Sequence, residues 1–347
     1  MLFRENIEKM SGYVPGYQPA DASVVKLNTN ENPYPPSPAV FEALGQLDEG
    51  LLRRYPVVTW DAFRVVAAQV HGCEPEMIVC GNGADELLTM LMRCCCDEKR
   101  ALAYPAPTYS LYPILGQIQG CQVIEVAFGD GFSLPPALAT TGASLTFLCN
   151  PNAPSGTFVP AEAVADLAGK VEGVLAIDEA YVDFAEENCL GLVKTFENVI
   201  VLRSMSKGYS LAGLRFGYGI GSRQIVEAMC KVKDSYNVNA LTQRAAGAAL
   251  ADQGYFQENV AKIKVQRQRL TEVLGQMGFG VGQSQTNFLL VETQDPPAKE
   301  IYEKLVARGV YVRYFEEAGM RDKLRITVGS EQENNALLEA LKAPESV

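Results

Sequence analysis

Short apolar runs alternate with longer amphipathic stretches through the first two thirds of the chain. The runs are rich in valine, isoleucine and leucine and end in polar or turn-forming residues, which is typical of buried β-strands. The predicted strands are Met77–Cys80, Ala101–Tyr104, Val123–Val126, Leu145–Cys149, Val174–Ile177 and Asn198–Arg203. Because helical stretches separate these runs, the pattern predicts an α/β fold with a mainly parallel sheet.

The last third of the chain has a different organisation. A mixed polar and apolar stretch, Tyr255–Met277, predicts a connecting helix, and further apolar runs follow it between helical segments. These runs predict a smaller α+β domain, which residues before about Leu52 are expected to join. The predicted division is an arm at residues 1–30, a discontinuous small domain at 31–51 and 278–347, and a large α/β domain at 52–277 that includes the connecting helix.

Chemically complementary segments follow successive predicted strands. They are Asn150 at the start of a proline-rich loop, Asp178, Ser204-Met205-Ser206-Lys207 and, eight residues after the lysine, Arg215. Side chains at the carboxyl ends of parallel strands share one edge of the sheet, where ligands bind in α/β proteins. A lysine beside two hydroxyls and a guanidinium suits a phosphorylated aldehyde, because the amine forms a Schiff base and the other groups bind phosphate. The segments therefore predict a pyridoxal phosphate site.

Asp178 and Tyr181 complete the predicted chemistry. A carboxylate against the ring nitrogen of pyridoxal phosphate keeps that nitrogen protonated, so that the ring accepts electrons from the substrate Cα. The Tyr181 phenol is a candidate donor to the ring oxygen. Each residue type also has an ordinary use, since most lysines are solvated, an aspartate at a strand end often caps the next helix, and many buried tyrosines only fill a core.

The chain resembles the fold type I pyridoxal-phosphate aminotransferases over nearly its whole length, and within them the histidinol-phosphate aminotransferases. The resemblance rests on these segments, in order along the chain: Leu27–Pro35, Arg54–Pro56, Gly81–Glu86, Pro107–Tyr109 and Leu324–Gly329. It implies a large domain with a mainly parallel seven-stranded sheet, a smaller discontinuous α+β domain and a homodimer.

Residue roles in cofactor binding follow from the resemblance. Lys207 is the implied Schiff-base lysine and proton carrier, and Asp178 is the implied partner of the ring nitrogen. The implied phosphate ligands are the backbone N–H groups of Ala84 and Asp85 at the start of a predicted helix, together with Ser204, Ser206 and Arg215. Tyr109 is expected to stack on the ring, and Tyr55 is expected to reach the phosphate bound by the neighbouring subunit.

One position departs from the family pattern. Ala153 stands where an asparagine usually precedes Pro-Thr-Gly, and alanine cannot donate a hydrogen bond to the ring oxygen. Either Asn152, one residue earlier, replaces the asparagine through a shifted loop, or Tyr181 holds the oxygen alone.

The implied substrate ligands are Arg325, Arg313 and Tyr17. Arg325 is expected to bind the α-carboxylate, since a guanidinium holds a carboxylate in a planar, bidentate way. Arg313 is expected to meet the phosphate of histidinol phosphate, with an exposed strand arginine as an equal alternative. Tyr17, in the arm, is expected to close over the substrate, although an aromatic in such a segment is usually a packing anchor.

The composition favours a soluble globular enzyme of the cytoplasm. The 347 residues are 48% hydrophobic and 20% charged, and we expect neither a membrane span nor a secretory signal. A net charge of −11 without a basic block argues against nucleic acid as a partner. Nine scattered cysteines and one histidine, His71, predict no metal site and no histidine-based nucleophilic triad.

The expected reaction is transamination between L-histidinol phosphate and 2-oxoglutarate, which gives imidazole-acetol phosphate and L-glutamate in histidine biosynthesis. An aminotransferase for aromatic amino acids, or a threonine-phosphate-type decarboxylase, would keep the same cofactor residues. A catalytically silent binding module on the same scaffold is a third alternative, since fold does not fix function. The intact pair of Lys207 and Asp178 argues against that module.

Overall fold

The computed structural model describes residues 2–21, 23–46, 48–317 and 319–342. The strands are β1 (Val25–Lys26), β2 (Ile78–Gly81), β3 (Leu102–Ala106), β4 (Val123–Ala127), β5 (Leu145–Cys149), β6 (Val174–Asp178), β7 (Val199–Ser204), β8 (Gly217–Gly221), β9 (Gly280–Val281), β10 (Phe288–Glu292), β11 (Val310–Tyr311), β12 (Arg313–Tyr314) and β13 (Lys323–Thr327). The helices are α1 (Glu5–Lys9), α2 (Pro38–Gly45), α3 (Glu49–Arg53), α4 (Asp61–His71), α5 (Ala84–Cys95), α6 (Leu111–Gln119), α7 (Ala161–Ala168), α8 (Arg223–Val232), α9 (Ala240–Ala251), α10 (Gln253–Gln276), α11 (Ala298–Ala307) and α12 (Glu331–Lys342).

A seven-stranded sheet forms the centre of the larger part of the molecule, with strand order β2-β8-β7-β6-β5-β3-β4. β8 runs antiparallel to both of its neighbours, and the remaining neighbours pair in parallel. The predicted α/β class and mainly parallel seven-stranded sheet are confirmed. The six apolar runs coincide with β2 to β7 to within two residues at each end.

The strands β2, β5 and β7 are buried along their whole length, which explains why they are largely apolar runs in the sequence. Helices cover both faces of such a sheet, because each face must be shielded from water. The first hydrophobic core contains these strands and residues of the helices around them, including Val40 of α2 and Leu88 of α5.

A second hydrophobic core lies around an antiparallel sheet of order β12-β13-β10-β9. Leu289 and Ile326 contribute to it from the sheet, and Leu270 contributes from α10. The helix α10 corresponds closely to the predicted connecting helix, and the Asp252 carboxylate caps its first turn by accepting from the Tyr255 N–H group. The short strand β1 pairs with β11 and brings the beginning of the chain to this core. The exact domain bounds stay a prediction.

The carboxyl ends of β5, β6 and β7 lie side by side. Cys149 is paired in register with Asp178, and Asp178 is paired with Leu202. The sheet therefore brings the loop at Asn150, the Asp178 carboxylate and the segment Ser204–Lys207 to one edge, as the sequence predicted.

The described residues contain neither a membrane-spanning helix nor a cluster of side chains placed to hold a metal ion. No helix within those ranges is long and apolar enough to cross a membrane. In the same part of the chain, no group of three or more His, Cys, Asp or Glu side chains is placed to hold a metal ion. His71 instead hydrogen-bonds the Tyr218 hydroxyl at 2.8 Å, and burial lowers its pKa to about 4.

Candidate active site

Lys207 lies just beyond β7, with its amine partly buried. Its Nζ donates a hydrogen bond to the carbonyl oxygen of Thr29 at 3.1 Å and lies 5.6 Å from the centroid of the Tyr181 ring. Burial and then the positive charge of Arg325 lower the pKa of Lys207 to about 8. The positive charge of Arg215 lowers the same pKa by less than that of Arg325. A lysine with this pKa has an appreciable neutral, nucleophilic fraction near neutral pH.

Asp178 ends β6 with its carboxylate buried. One oxygen accepts a hydrogen bond from the Tyr112 hydroxyl at 2.8 Å, and the other accepts from the Ala180 N–H group at 3.2 Å. Burial raises the pKa of Asp178 to about 6, and the Tyr112 hydrogen bond opposes that rise. The carboxylate is thus ionised at neutral pH but close to the range in which it gains a proton.

Tyr181 follows β6 and lies against the lysine. Its hydroxyl accepts a hydrogen bond from Asn30 Nδ2 at 3.0 Å, and its ring packs edge-to-face on Phe288. Burial raises the pKa of Tyr181 to about 12, so the hydroxyl keeps its proton across the physiological range.

The five predicted phosphate ligands converge at the start of α5. Arg215 lies 3.5 Å from the Ser206 hydroxyl and 3.3 Å from the Asp85 carboxylate, and Ser204 Oγ accepts from the Ser206 N–H group. Within the described residues, the backbone N–H groups of Ala84 and Asp85 donate no hydrogen bond, as expected of a helix start. A Cβ at Gly217 would lie 2.6 Å from the Ala84 nitrogen, so β8 approaches the helix this closely only with glycine there.

Tyr109 and Asn152 lie on neighbouring loops at the same edge. The Tyr109 hydroxyl donates to Asp85 at 3.3 Å, and its ring packs edge-to-face on Tyr112, which puts it next to Asp178. Asn152 is buried, and its amide already donates to the Pro107 carbonyl at 3.1 Å and to Ser155 Oγ at 2.9 Å. Both amide hydrogens are therefore in use, and this arrangement favours the alternative in which Tyr181 holds the ring oxygen alone.

The chain is similar to known aminotransferases along nearly its full length. The sequence profile of the family "Aminotransferase class I and II" matches residues 22–341. The chain belongs to this family. Histidinol-phosphate aminotransferase 1 of Trichormus variabilis is 46% identical over 342 residues, with 98% of each chain covered. Histidinol-phosphate aminotransferase of Citrifermentans bemidjiense is 46% identical over 343 residues, with 99% of this chain and 98% of that one covered.

Solved aminotransferase structures confirm the fold type I architecture. Histidinol-phosphate aminotransferase from Sinorhizobium meliloti, solved in complex with pyridoxal-5'-phosphate, has a TM-score of 0.89 at 26% identity and covers 98% of this chain and 96% of its own. An aspartate aminotransferase mutant from Thermus thermophilus shares the fold, with a TM-score of 0.81 at 21% identity and coverage of 97% and 98%.

The two arginines predicted to bind substrate lie opposite each other in this aminotransferase. Arg313 of β12 and Arg325 of β13 are directly paired in the antiparallel sheet, and the Phe315 ring lies within 6 Å of both guanidinium groups. Arg325 is half-buried, and its buried Nε atom has no hydrogen-bond partner among the described residues. Like charges on facing positions repel each other, so the pair is suited to an anion that lies between or beside them.

The two remaining predicted tyrosines are exposed in the single chain. Tyr17 is 60% exposed and stacks on Tyr311. The Tyr17 carbonyl accepts a hydrogen bond from the Asn28 side chain, and the Asn28 carbonyl accepts one from Arg325. The arm therefore lies beside the arginine pair. Tyr55 is 79% exposed and stacks on Tyr236 at 4.3 Å.

Three residues with direct contacts to the site were missed in the sequence. Tyr112 donates to Asp178, Thr29 accepts from Lys207, and Asn30 donates to Tyr181. Asn30 lies within a segment already used for the resemblance, and its left-handed backbone, with φ of 57°, is a feature that asparagine tolerates better than most residues. No local pattern distinguishes Tyr112 from an ordinary core tyrosine.

Proposed function

We propose that this aminotransferase uses pyridoxal phosphate to transfer an amino group between L-histidinol phosphate and 2-oxoglutarate, with imidazole-acetol phosphate and L-glutamate as products. The observation that carries the substrate assignment is the full-length similarity, at 46% identity, to enzymes named histidinol-phosphate aminotransferase. The amine at Lys207 and the carboxylate at Asp178 argue against a silent binding module.

The set of hydrogen-bond donors fits pyridoxal phosphate. The start of α5 offers two N–H groups without partners in the described residues, beside two hydroxyls and a guanidinium, and a phosphate is the anion for which such a set is suited. A buried carboxylate and a partly buried amine of lowered pKa lie at the same sheet edge, where a ring nitrogen and an aldehyde need them.

When bound, pyridoxal phosphate supplies an aldehyde that carries the amino group and a ring that withdraws electrons from the substrate Cα. The Asp178 carboxylate would hold a proton on the ring nitrogen by its negative charge. The Lys207 amine would act as the base toward the Cα proton, since its lowered pKa leaves it neutral more often than a surface lysine. Tyr181 stays protonated and would donate to the ring oxygen.

The arginine pair supports substrates that carry more than one negative charge. Glutamate presents an α-carboxylate, for which Arg325 has an unpartnered Nε, and histidinol phosphate has a phosphate and no carboxylate. The same guanidinium groups would therefore bind either substrate through a different anion, with Arg313 meeting the phosphate. The substrates exchange one at a time, so one arginine pair serves both.

We also propose that the enzyme is a homodimer in which Tyr55 reaches the phosphate bound by the other subunit. Tyr55 belongs to a group of exposed apolar side chains that includes Phe41, Leu52 and Val57, each more than half exposed in the single chain. Leu52, Tyr55 and Val57 are also close in sequence, and large exposed apolar side chains that cluster usually mark an interface. The expected cytoplasmic location rests on composition and stays a prediction.

The deciding experiment compares substrates in the cofactor-loaded enzyme. Histidinol phosphate and phenylalanine are each supplied with 2-oxoglutarate, and glutamate formation is measured as kcat/KM. A preference above ~100-fold for histidinol phosphate, equivalent to roughly 2.7 kcal/mol, supports the proposal. An equal or reversed preference overturns the assignment of histidinol phosphate as the substrate and supports an aminotransferase for aromatic amino acids. If neither substrate gives glutamate, and the enzyme instead releases CO₂ from threonine phosphate, the protein is a decarboxylase.

A further inference from the structure

Consecutive residues near the beginning of the chain each contact a different functional group of the site. The contacts are Asn28 O with Arg325 Nη2 at 3.1 Å, Thr29 O with Lys207 Nζ at 3.1 Å, and Asn30 Nδ2 with Tyr181 Oη at 3.0 Å. The first two are made by backbone carbonyl groups. Only the contact of Asn30 joins two side chains, so a substitution removes it without removing a backbone group.

Asn30 is held in one orientation by its surroundings. It is 1% exposed, its N–H group donates to Thr327 Oγ1 at 3.0 Å, and its carbonyl accepts from Asn287 Nδ2 at 2.9 Å. Because Thr327 Oγ1 accepts from that N–H group, its single hydrogen is free to go to Asn30 Oδ1, 3.1 Å away. This fixes the oxygen of the amide toward Thr327 and its NH₂ group toward Tyr181.

The amide orientation determines what Tyr181 can do. The Tyr181 hydroxyl accepts a hydrogen bond from Asn30, so its own hydrogen must point to another acceptor. The charged or titratable groups that face it are Arg325, Cys149, Asp178, Lys207 and Tyr109. Ala153 has no side-chain donor, and Asn152 has both amide hydrogens engaged, so neither supplies a hydrogen bond in place of Tyr181.

We propose that Asn30 is a positioning residue that turns the Tyr181 hydroxyl hydrogen toward the ring oxygen of the cofactor. The amide occupies the acceptor side of the hydroxyl and leaves the donor side for the ligand. This inference rests on the proposed function, because the ring oxygen belongs to pyridoxal phosphate. Tyr181 touches the cofactor, and Asn30 acts only through it.

The test uses Asn30→Gly, Tyr181→Phe and the double variant in the cofactor-loaded enzyme. Glycine removes the amide and accepts the φ of 57° without strain. The readout is the pKa of the lysine-bound cofactor, obtained from its absorbance as a function of pH. A hydrogen bond to the ring oxygen favours its deprotonated form, so we expect each single variant to raise this pKa by about one unit, a tenfold change in the proton equilibrium.

The double variant separates action through Tyr181 from independent action. If Asn30 acts through Tyr181, the double variant has the same cofactor pKa as Tyr181→Phe alone; shifts that add in the double variant overturn the inference. Asn198→Gly is the matched control. Asn198 directly precedes β7, at the end of the strand away from the site, and its amide donates to the carbonyls of Ala168 and Gly173. Its replacement should leave the cofactor pKa unchanged.

Two further outcomes keep the inference separate from the proposed function. If Asn30→Gly does not fold, Asn30→Asp takes its place, because aspartate has the same shape as asparagine. The new carboxylate accepts the Tyr181 hydroxyl hydrogen, so the same upward shift of the cofactor pKa is expected. Wild-type protein that forms no lysine-bound chromophore overturns the proposed function. The inference alone is overturned by a different result, in which the wild-type protein forms the chromophore. In that result the cofactor pKa shifts in Tyr181→Phe but in neither of the folded Asn30 variants.

Discussion

Tyr112→Phe tests whether the hydrogen bond to Asp178 keeps that carboxylate ionised. The Tyr112 hydroxyl donates to Asp178 at 2.8 Å, both side chains are buried, and burial has already raised the pKa of Asp178 to about 6. A hydrogen bond to a charged group contributes about 1.5–3 kcal/mol, so its loss should raise the pKa by roughly one to two units. The ionised fraction at pH 6 would then fall from about one half to a few per cent, whereas at pH 9 it would change by less than about twofold.

The assay is the affinity of the cofactor-free protein for pyridoxal phosphate as a function of pH. In the proposed site, ionised Asp178 pairs with the protonated ring nitrogen. The affinity should therefore fall on the acid side, and this fall should occur roughly one to two pH units higher in Tyr112→Phe. Tyr104→Phe is the control, because Tyr104 is buried beside Tyr112 but its hydroxyl donates to Glu125. Superimposable pH profiles for wild type and Tyr112→Phe would refute the reasoning, as would an equal shift in the control.

Three other predictions concern the same site. Asp178→Asn should stabilise the cofactor-free protein at pH 8 by up to about 3 kcal/mol in urea unfolding. The reason is that the raised pKa of the buried carboxylate lowers the stability of the wild type as pH rises from about 4 to about 6. No effect is expected near pH 4, and a loss of stability at pH 8 contradicts the argument. Arg325→Lys should lower kcat/KM for glutamate by about 10–100-fold, since lysine cannot bind a carboxylate in a bidentate way; unchanged saturation kinetics would count against the carboxylate role. The rate at which the cofactor-free protein captures pyridoxal phosphate at Lys207 should rise with pH, reach about half of its maximum near pH 8 and level off by about pH 9; an absorbance-monitored rate that rises about tenfold per pH unit up to pH 10 would be inconsistent with the lowered pKa.

The sequence predicted most of the strands of the seven-stranded sheet and the side chains at their ends. β5 was predicted residue for residue, because it is buried along its whole length and four of its five residues are apolar. β8 was not predicted as a strand, since three of its five residues are glycine, which has a low preference for strands. Its glycines are explained by neighbours far along the chain, such as the start of α5 at Gly217.

The missed site residues depend on contacts that a local pattern does not contain. Tyr112 is 66 positions from Asp178, and as a tyrosine on the buried side of α6 it has an ordinary place in a core. The opposition of Arg313 and Arg325 depends on strand register, which is fixed by the whole sheet. Asn152 was a reasonable candidate by position, but one of its amide hydrogens goes to the Pro107 carbonyl and the other goes to Ser155 Oγ.

The contact between Asn30 and Thr327 links residues 297 positions apart. At roughly 5–20 residues per second, synthesis of the intervening chain takes roughly 15 to 60 s. The proposed cofactor ligands between Ala84 and Arg215 leave the ribosome well within that interval, whereas Arg325 leaves near its end. A growing chain thus presents its own proposed phosphate ligands before the two arginines that are proposed to bind the substrate are available. The finished site appears only when the last strand has been made, which delays amino-group chemistry until synthesis is nearly complete.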